Sequence, residues 1–374
     1  MRVFLSTADA SGDLHGAALL DALRKREPDL EPFGLGGPAC EKSGLEAVVG
    51  QSDLAVAGLV EVLSSLPRIL GAYARLRSAL RSRQPSLAIL IDSPDLNLPL
   101  AAVARRSAIP VLYYIVPQVW AWRPGRLRTL ARRVDHAAVI FPFEEPLLAG
   151  AGVQTTYVGH PLVERLGALR LDRLAFREET GLDPDRPVVA LLPGSRRNEV
   201  AWNLPVMLEA TAIAQAALPT LQRVLVVAPT LHRPPFDLPR DLRIVEGRPH
   251  EAMDASDCLL TAAGTATLEA TLLGVPFVVV HRVHPVSFGV ARRVVRVPSS
   301  CMTNVLADAG VVPERLQEQA RPAAVAGLLL ELLQQEDVRL ELQRRLAATA
   351  ARLGGTGAGE RTAEIASKLA RGSL

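Results

Sequence analysis

The stretch "LAILIDSPDLNLPL" (residues 87–100) indicates the class of fold. Its first five residues are apolar without a break, as in a strand that is buried on both faces. Asp92 stands where this strand should end, and the sequence from Pro94 onward predicts a helix. A buried strand that runs directly into a helix is the repeating unit of a parallel α/β sheet.

The same unit recurs through the first half of the chain. Short apolar runs alternate with segments of helical periodicity such as Gly16–Arg26 and Pro67–Arg83. This alternation predicts right-handed βαβ units and a parallel sheet. The predicted strands of this half are Val3–Ser6, Pro32–Leu35, Leu87–Ile91, Val111–Ile115, Ala137–Phe141 and Thr155–Val158.

The pattern starts again at "RPVVALLPGSR" (residues 186–196), which resembles a second opening strand and loop. A chain of 374 residues is long enough for two hydrophobic cores. We predict two doubly wound, Rossmann-like α/β domains, at residues 1–165 and 166–345, facing a cleft and followed by a helical segment at residues 346–374. The strands predicted after this opening segment are Val224–Ala228, Arg243–Glu246, Cys258–Thr261 and Pro276–His281.

Composition narrows the class of protein. The net charge of +3 gives no reason to expect nucleic-acid binding, and three scattered cysteines suggest a reducing compartment. The N-terminus reads directly as a strand without a signal peptide, and no apolar run reaches the roughly 18 residues of a spanning helix. We expect a cytoplasmic protein that is able to lie on a membrane.

Loops that follow the strands are the candidate ligand sites, because parallel sheets bind ligands at the carboxyl ends of their strands. Asp92 is either a general base or a cap of the next helix, and Asp95 is a plausible cap. After the opening strand, Ser11, Gly12 and Asp13 either hold an anion or a sugar hydroxyl or simply start a helix.

Two further segments of the first domain have open alternatives. The stretch "PQVWAWR" (residues 117–123) sets two tryptophans beside an arginine, which suits a sugar, phosphate or lipid headgroup and equally a packed tryptophan corner. Residues 67–83 form a basic amphipathic helix that suits either an anionic bilayer or the surface of the sheet. The candidates in the first segment are Gln118, Trp120, Trp122 and Arg123.

Small residues after two strands of the second domain predict a phosphate site. Free N–H groups at the start of a helix hold phosphate, and an arginine can pair with a diphosphate. The spacing of His281 and His284 suits a metal, but no third ligand lies near them in sequence, so we expect none. The diphosphate candidates are Gly194, Ser195, Arg196, Gly264, Thr265 and Thr267, and Glu269 is the candidate for ribose.

Nine motifs occur together in the order and rough spacing of one family. The sequence resembles the lipid-A-disaccharide synthases over about residues 1–335, and "PQVWAWR" with "IDSPD" is specific to that family. Asp9 stands where the family usually has glutamate, and Gln118 replaces a common serine. The motifs are "ASGDLHGA", "GLVEVL", "IDSPDLN", "PQVWAWR", "FPFE", "VGHPL", "LLPGSR", "GTATLEA" and "TNVL".

The resemblance implies a GT-B fold, no metal or other cofactor, and peripheral association with the cytoplasmic face of the inner membrane. It implies transfer of 2,3-diacylglucosamine from UDP to the 6-hydroxyl of 2,3-diacylglucosamine 1-phosphate (lipid X), with inversion. Asp92 would be the base, and Asn304 would contact the nucleotide or sugar. A monomer or a homodimer is expected, with residues 346–374 packing back or exchanged.

Two other classes remain open from the sequence. One is another GT-B enzyme that acts on a UDP-aminosugar, such as a 2-epimerase or the peptidoglycan N-acetylglucosaminyltransferase. The other is a non-catalytic protein that binds a UDP-sugar or a lipid. The tryptophan stretch argues against the first class, and the presence of Asp92, Arg196 and Asn304 together argues against the second.

Overall fold

The chain folds into two compact units. The computed structural model describes residues 1–54, 59–122, 125–228, 231, 238–285, 288–289, 292 and 297–373, with the backbone alone for residues 59–65 and 122. The first unit comprises Met1–Glu164 together with Leu353–Leu374, and the second comprises Arg165–Arg352. Each unit is built on its own sheet and its own buried apolar core.

The first unit is a seven-stranded sheet with the order β3-β2-β1-β4-β5-β6-β7, and all its pairings are parallel. Its strands are β1 (Arg2–Ser6), β2 (Glu31–Gly36), β3 (Glu46–Gly50), β4 (Leu87–Ile91), β5 (Val111–Tyr114), β6 (His136–Val139) and β7 (Thr155–Tyr157). Its helices up to the unit boundary are α1 (Ala10–Arg26), α2 (Pro38–Lys42), α3 (Leu59–Arg83), α4 (Pro94–Arg106), α5 (Val119–Trp122), α6 (Gly125–Arg133), α7 (Glu144–Gly150) and α8 (Pro161–Gly167), which crosses the boundary.

The second unit repeats this architecture with a six-stranded parallel sheet in the order β10-β9-β8-β11-β12-β13. Its strands are β8 (Val188–Leu192), β9 (Gln222–Val227), β10 (Leu242–Glu246), β11 (Cys258–Thr261), β12 (Phe277–His281) and β13 (Glu314–Leu316). Its helices after α8 are α9 (Arg173–Glu179), α10 (Arg197–Ala217), α11 (Pro249–Asp254), α12 (Thr265–Leu273), α13 (Met302–Ala307), α14 (Pro322–Gln334) and α15 (Glu336–Ala350). The last helix of the chain, α16 (Ala358–Ala370), returns to the first unit.

The prediction of two doubly wound parallel sheets is confirmed. Sequence reasoning missed β3 and β13, both of which lie at a sheet edge. The first two residues of β3 are exposed, and β13 has only three residues, all half-buried, so neither shows the apolar run of a central strand.

Strand order reverses in each sheet next to its first strand. In the first unit β1 lies between β2 and β4, and in the second unit β8 lies between β9 and β11. The loops after β1 and β4, and those after β8 and β11, therefore stand at the switch points where doubly wound sheets bind ligands. The sequence candidates after β4, β8 and β11 fall in these loops.

Helix α3 covers the sheet instead of presenting its apolar face to solvent. It begins at Leu59, earlier than predicted, and contains Pro67. Leu76 and Leu80, from the face that the sequence suggested for a bilayer, are fully buried in the core of the first unit. Among the side chains of this helix that the structure describes, Leu66 and Leu70 are large, apolar and exposed.

Helix α16 belongs to the first unit, where it packs against α1 and reaches β4 and β5. The Arg361 guanidinium donates to the Val158 carbonyl at 2.8 Å, and the His160 N–H donates to the Leu353 carbonyl at 3.0 Å. Within the part of the chain that the structure describes, none of the helices has the length and apolar character needed to cross a membrane.

Candidate active site

Asp92 lies directly after β4 in a turn of unusual backbone conformation. Asp92 and Ser93 both have a φ of 44°, in the left-handed region that non-glycine residues rarely adopt. Each such residue costs on the order of 1–3 kcal/mol, so the surrounding structure must hold the turn in place. Ser93 is the N-cap of α4, and the cap alternative for Asp92 is therefore wrong.

Asn97 holds this turn from beneath. Its buried amide nitrogen donates to the carbonyls of Ile91 at 2.9 Å and Asp92 at 2.8 Å. Its amide oxygen accepts the Ser6 hydroxyl at 2.7 Å, and the Tyr113 hydroxyl donates to the Asp92 carbonyl at 2.6 Å. Bonds from β5 and α4 thus fix the Asp92 carbonyl, Ser6 of β1 holds Asn97 in place, and the Asp92 side chain is half-buried.

The environment of the Asp92 carboxyl favours its protonated form. Burial and the nearby negative charge of Asp9 raise its pKa, although a hydrogen bond from the Ser93 N–H opposes them. Asp95, three residues on, is exposed on the first turn of α4 and forms an ion pair with Arg126. The two aspartates of "IDSPD" therefore differ, because Asp92 is half-buried with a raised pKa that suits a general base, whereas Asp95 is exposed and paired with Arg126.

The loop after β1 closes against the same turn. Asp9 is the N-cap of α1, where its carboxylate accepts the Gly12 N–H at 2.7 Å and lies 3.4 Å from the Ser93 hydroxyl. A side chain at Gly12 would lie 2.1 Å from the Thr7 hydroxyl oxygen, so this position requires glycine. Ser11 is exposed, with its hydroxyl 3.4 Å from a ring nitrogen of His15.

Asp13, predicted as a ligand residue, supports the fold from a buried position. Its carboxylate accepts the backbone N–H groups of Gly37, Ala39 and Cys40 at 2.8–3.1 Å, which fixes the turn between β2 and α2. Burial alone would raise the pKa of Asp13, but its bonds with Cys40, Ala39 and Gly37 lower it overall. It is thus an ionised structural residue, a role that its position in "SGD" does not distinguish from binding.

The tryptophan stretch forms α5 and the loop before it, after β5. Gln118 is exposed, and Trp120 is half-buried with its indole N–H donating to the buried Glu144 carboxylate at 3.0 Å. Trp122 is the last residue of α5, and only its backbone is described. Arg123 lies outside the described residues.

In the second unit, the loops after β8, β9 and β11 enclose a cavity of about 410 Å³. Its wall includes six of the predicted donor-site residues: Gly194, Ser195, Arg196, Gly264, Thr265 and Glu269. Apolar residues supply another part of the wall: Leu192, Val226, Val227, Ala228, Pro249 and Met253. The cavity thus combines small polar loops with an apolar surface, as in sites that bind a nucleotide.

Glu199 occupies the N–H groups of the loop after β8. One of its carboxylate oxygens accepts the N–H groups of Ser195 at 3.0 Å and Arg196 at 3.2 Å. Gly194 has a φ of 122°, and an added Cβ would lie 2.6 Å from Glu199. The Arg196 guanidinium lies 3.3 Å from the other Glu199 oxygen and is 83% exposed. Sequence reasoning missed Glu199, although its position three residues after Arg196 is that of a capping-box glutamate.

At the start of α12, Gly264 and Thr265 are exposed and Thr267 turns inward, where its hydroxyl donates to the Gly264 carbonyl at 2.8 Å. The Glu269 carboxylate accepts a hydrogen bond from the Arg165 guanidinium at 2.7 Å, and the same oxygen lies 3.2 Å from Nε2 of His250. A ligand hydroxyl that binds Glu269 would therefore join an existing cluster. Arg165 and His250 were not predicted, because they lie far from Glu269 in sequence.

Asn304 does not line this cavity. Its buried amide nitrogen donates to the Val312 carbonyl and to Glu314, and its oxygen accepts the N–H groups of Val311 and Val312. These four bonds use the full hydrogen-bonding capacity of an amide. In this structure Asn304 therefore fixes the loop between α13 and β13, and a ligand contact would require one of these bonds to break.

Comparisons with known proteins agree on the family. The family model described as "Lipid-A-disaccharide synthetase" matches residues 3–368. The chain is 42% identical to the "Lipid-A-disaccharide synthase" of Syntrophus aciditrophicus over 381 residues, covering 99% of this chain and 98% of that protein. It is 40% identical to the protein of the same name from Trichlorobacter lovleyi over 371 residues, covering 97% and 96%.

The chain belongs to the lipid-A-disaccharide synthase family. Among solved structures, the glycotransferase of kitacinnamycin is similar with a TM-score of 0.65 and 17% identity over 98% of both chains, which supports the fold alone. The resemblance and the GT-B fold stated from the sequence are confirmed, and the protein is a glycosyltransferase of lipid A biosynthesis.

Within the lipid-A-disaccharide synthase fold, the structure sorts the predicted site residues into two groups. Gly12, Asp13, Thr267 and Asn304 are buried and make internal contacts. The others that the structure describes with side chains lie at the switch points or on the loop after β5. They are Ser11, Asp92, Gln118, Trp120, Gly194, Ser195, Arg196, Gly264, Thr265 and Glu269.

Proposed function

We propose that this chain transfers 2,3-diacylglucosamine from UDP-2,3-diacylglucosamine to the 6-hydroxyl of lipid X. The products are the β-1,6-linked lipid A disaccharide 1-phosphate and UDP. The observation that carries the proposal is the raised pKa of Asp92, which a clamped turn holds at the switch point of the first sheet. A carboxylate in this position is available to accept a proton from an alcohol.

Asp92 acts on the acceptor. In the proposed step the ionised Asp92 carboxylate takes the proton of the acceptor 6-hydroxyl as that oxygen attacks the anomeric carbon. The new C–O bond forms as the bond from the anomeric carbon to the UDP oxygen breaks, and UDP leaves with the electron pair. Attack from the face opposite the leaving group inverts the α-linked donor to a β product.

The cavity of the second unit would hold UDP. The exposed Gly264 and Thr265 at the N-terminus of α12 and the guanidinium of Arg196 would stabilise the diphosphate as it gains charge. Glu269, already bonded to Arg165, would accept a ribose hydroxyl. The apolar wall near Val226 and Met253 would meet the base, since the rest of the cavity is formed by small polar loops. Thr267 and Asn304 would act indirectly, by shaping these loops.

The protein would work at the cytoplasmic face of the inner membrane, where its acylated substrates reside. The face of α3 that carries Leu76 and Leu80 is buried and cannot reach a bilayer. The bilayer would instead meet the exposed side chains of this helix, which are Leu66, Arg68, Leu70, Arg77 and Arg81. Each basic residue near an anionic surface contributes about 1 kcal/mol. We propose a monomer or a homodimer in which α16 stays on the α1 of its own chain.

Incubation with the two acylated precursors tests this function directly. UDP release and the disaccharide 1-phosphate are measured together by mass spectrometry, and we expect one disaccharide for each UDP. A parallel reaction with UDP-N-acetylglucosamine, with and without acceptor, should yield neither a disaccharide nor an epimer. Turnover of that donor in the absence of acceptor would instead identify an epimerase, and binding of UDP-sugar without turnover would identify a non-catalytic protein.

A further inference from the structure

A buried carboxylate connects the tryptophan stretch to the turn after β6. Glu144, the first residue of α7, is 1% exposed. One of its oxygens accepts the Trp120 indole N–H at 3.0 Å, and the other accepts the Phe141 backbone N–H at 3.2 Å. Both partners are donors, so this position requires two acceptor atoms.

Aromatic side chains form a row of contacts that begins at Trp120. The edge of Trp120 meets Phe143 with ring centroids 4.9 Å apart, Phe143 stacks on Phe141 at 5.5 Å, and Phe141 lies 5.2 Å from His160. Glu144 is buried, so its bond with the Trp120 indole is shielded from water and gives the ring a polar anchor. An indole that is packed on one side and bonded at its N–H has a defined orientation.

Burial raises the pKa of Glu144 to about 7, although hydrogen bonds from Trp120, Phe141 and Ile140 lower it. Among the described residues, the nearest titratable groups on adjoining segments have bonds of their own. Glu145 accepts the Tyr157 N–H at 3.0 Å, and His160 accepts the Leu162 N–H at 3.1 Å. The pKa of Glu144 is thus set by its burial and by uncharged hydrogen-bond donors.

The stretch that Glu144 anchors stands beside Asp92 in the sheet. Strands β4 and β5 are neighbours, and Ile91 is paired with Tyr114 at their carboxyl ends. Asp92 follows Ile91 directly, and the loop from Ile115 to Gln118 leads from β5 into α5. This loop therefore begins beside the proposed base, whose backbone N–H donates to the Tyr114 carbonyl at 3.3 Å.

We infer that Glu144 is a positioning residue, which fixes Trp120 and thereby holds residues 115–122 in the conformation that receives the acceptor. The assignment of this loop to the acceptor rests on the proposed function. An ionised carboxylate accepts a hydrogen bond from each of the two N–H groups, of Trp120 and Phe141. An amide or a protonated acid turns a donor of its own towards one of these N–H groups, and that bond is lost. Glutamine at residue 144 therefore breaks the anchor with almost no change in volume.

Tryptophan fluorescence tests the anchor without any substrate. The chain has three tryptophans, and replacing Trp122 and Trp202 by phenylalanine leaves Trp120 as the single emitter. In this background we expect the emission of Trp120 to titrate with a midpoint near pH 7 and the transition to disappear in Glu144→Gln. It should persist in His160→Asn, which removes the histidine ring that contacts Phe141. A transition that survives in Glu144→Gln would overturn the inference.

Kinetics test the consequence for the acceptor. Glu144→Gln and Trp120→Phe remove the same bond from opposite sides, and each should raise KM for the acceptor about tenfold with little change in KM for the donor. The double variant should be no worse than either single one. Glu145→Gln is the matched control and should leave both constants unchanged. Additive effects, or equal changes for both substrates, would contradict a positioning role.

The two experiments separate the two levels of the proposal. If the protein turns over neither acylated precursor, the proposed function fails, and the fluorescence titration still reports whether Glu144 anchors Trp120. If turnover is normal and Glu144→Gln leaves the titration and KM unchanged, the function stands and the positioning role fails.

Discussion

The loops after β4 and β8 each lie at the switch point of a parallel sheet, yet they present groups of opposite charge. After β4, neutral groups clamp a strained backbone and expose a carboxylate whose pKa is raised. After β8, an internal carboxylate, Glu199, covers backbone N–H groups beside an exposed guanidinium. We propose that the first loop takes a proton and that the second receives an anion.

The difference shows that the fold sets only the place of a site. Both loops follow a buried strand of five apolar residues, and both precede a helix. What differs is a few side chains, chiefly Asn97 on one side and Glu199 on the other. Function therefore has to be argued from the loop residues, since the same topology serves either purpose.

The largest effect is expected at the proton-accepting loop. Asp92→Asn should lower kcat at least about 100-fold with UDP affinity unchanged, because it removes the base but leaves the second unit intact. Asp95→Asn is the matched control, since it removes a neighbouring carboxylate that is paired with Arg126 and should retain activity. Steady-state kinetics measure kcat, and isothermal titration calorimetry measures the affinity for UDP. Near-normal turnover in Asp92→Asn would reject the assignment of the base.

A buried asparagine bonds the backbone at each loop, Asn97 at the loop after β4 and Asn203 at the loop after β8, and the two offer a sharper comparison. Asn97→Ala leaves the Asp92 carbonyl and the Ser6 hydroxyl with fewer partners and should cost about 1–3 kcal/mol of unfolding free energy. Its counterpart is Asn203, which is buried and bonds the Pro193 carbonyl at 3.0 Å and the Arg282 N–H at 2.7 Å.

We expect Asn97→Ala to lower kcat and Asn203→Ala to raise KM for the donor. Denaturant unfolding and steady-state kinetics on both variants provide the measurement. If both variants change the same kinetic constant, the two loops do not have separate roles.

At the anion-receiving loop the sign of the effect decides the role of Glu199. Glu199→Gln should tighten UDP binding several-fold, because a carboxylate on the N–H groups of Ser195 and Arg196 repels a diphosphate. Arg196→Ala should weaken it by about tenfold, because it removes a charged partner. Titration calorimetry with UDP separates these outcomes. Weaker binding in Glu199→Gln would show that this carboxylate holds the loop in its binding form.

The smallest effect concerns pH. A base works when ionised, so turnover should rise with pH through the pKa of Asp92, and that limb should lie above the ordinary aspartate value of 3.8. Burial comes first among the causes of the raised pKa and the charge of Asp9 second. Asp9→Asn keeps an oxygen that can cap α1 and should move the limb to lower pH. A pH–rate profile of kcat measures it, and an unmoved limb would exclude Asp9 as a cause.

The sequence was sufficient for the parts of the molecule that depend on local pattern. The alternation of apolar strands and helices predicted both sheets, and loops after central strands located Asp92, Arg196 and Gly264 at the switch points. The edge strand β3 was missed because only one of its five residues is fully buried, so it lacks the apolar run of a central strand.

Contacts between distant residues could not be predicted. Asn97 meets Ser6 across 91 residues, and Arg165 meets Glu269 across 104. Similarly, the direction in which Thr267 points depends on packing that "GTAT" does not encode. The basic helix shows the same limit, because its periodicity defined an apolar face that suited either a bilayer or the sheet, and the structure was needed to show that Leu76 and Leu80 pack in the core.

The position of α16 has a consequence for synthesis on the ribosome. Tyr114, buried at the end of β5, has Thr362 as a hydrogen-bond partner, so residues 1–164 alone lack part of the first unit's core. At bacterial elongation rates, roughly 10 to 40 s separate residue 164 from the release of α16. We expect the second unit, which is continuous in sequence, to fold first. The unit that begins the chain would wait, with one face of β4 and β5 open, until its last helix emerges.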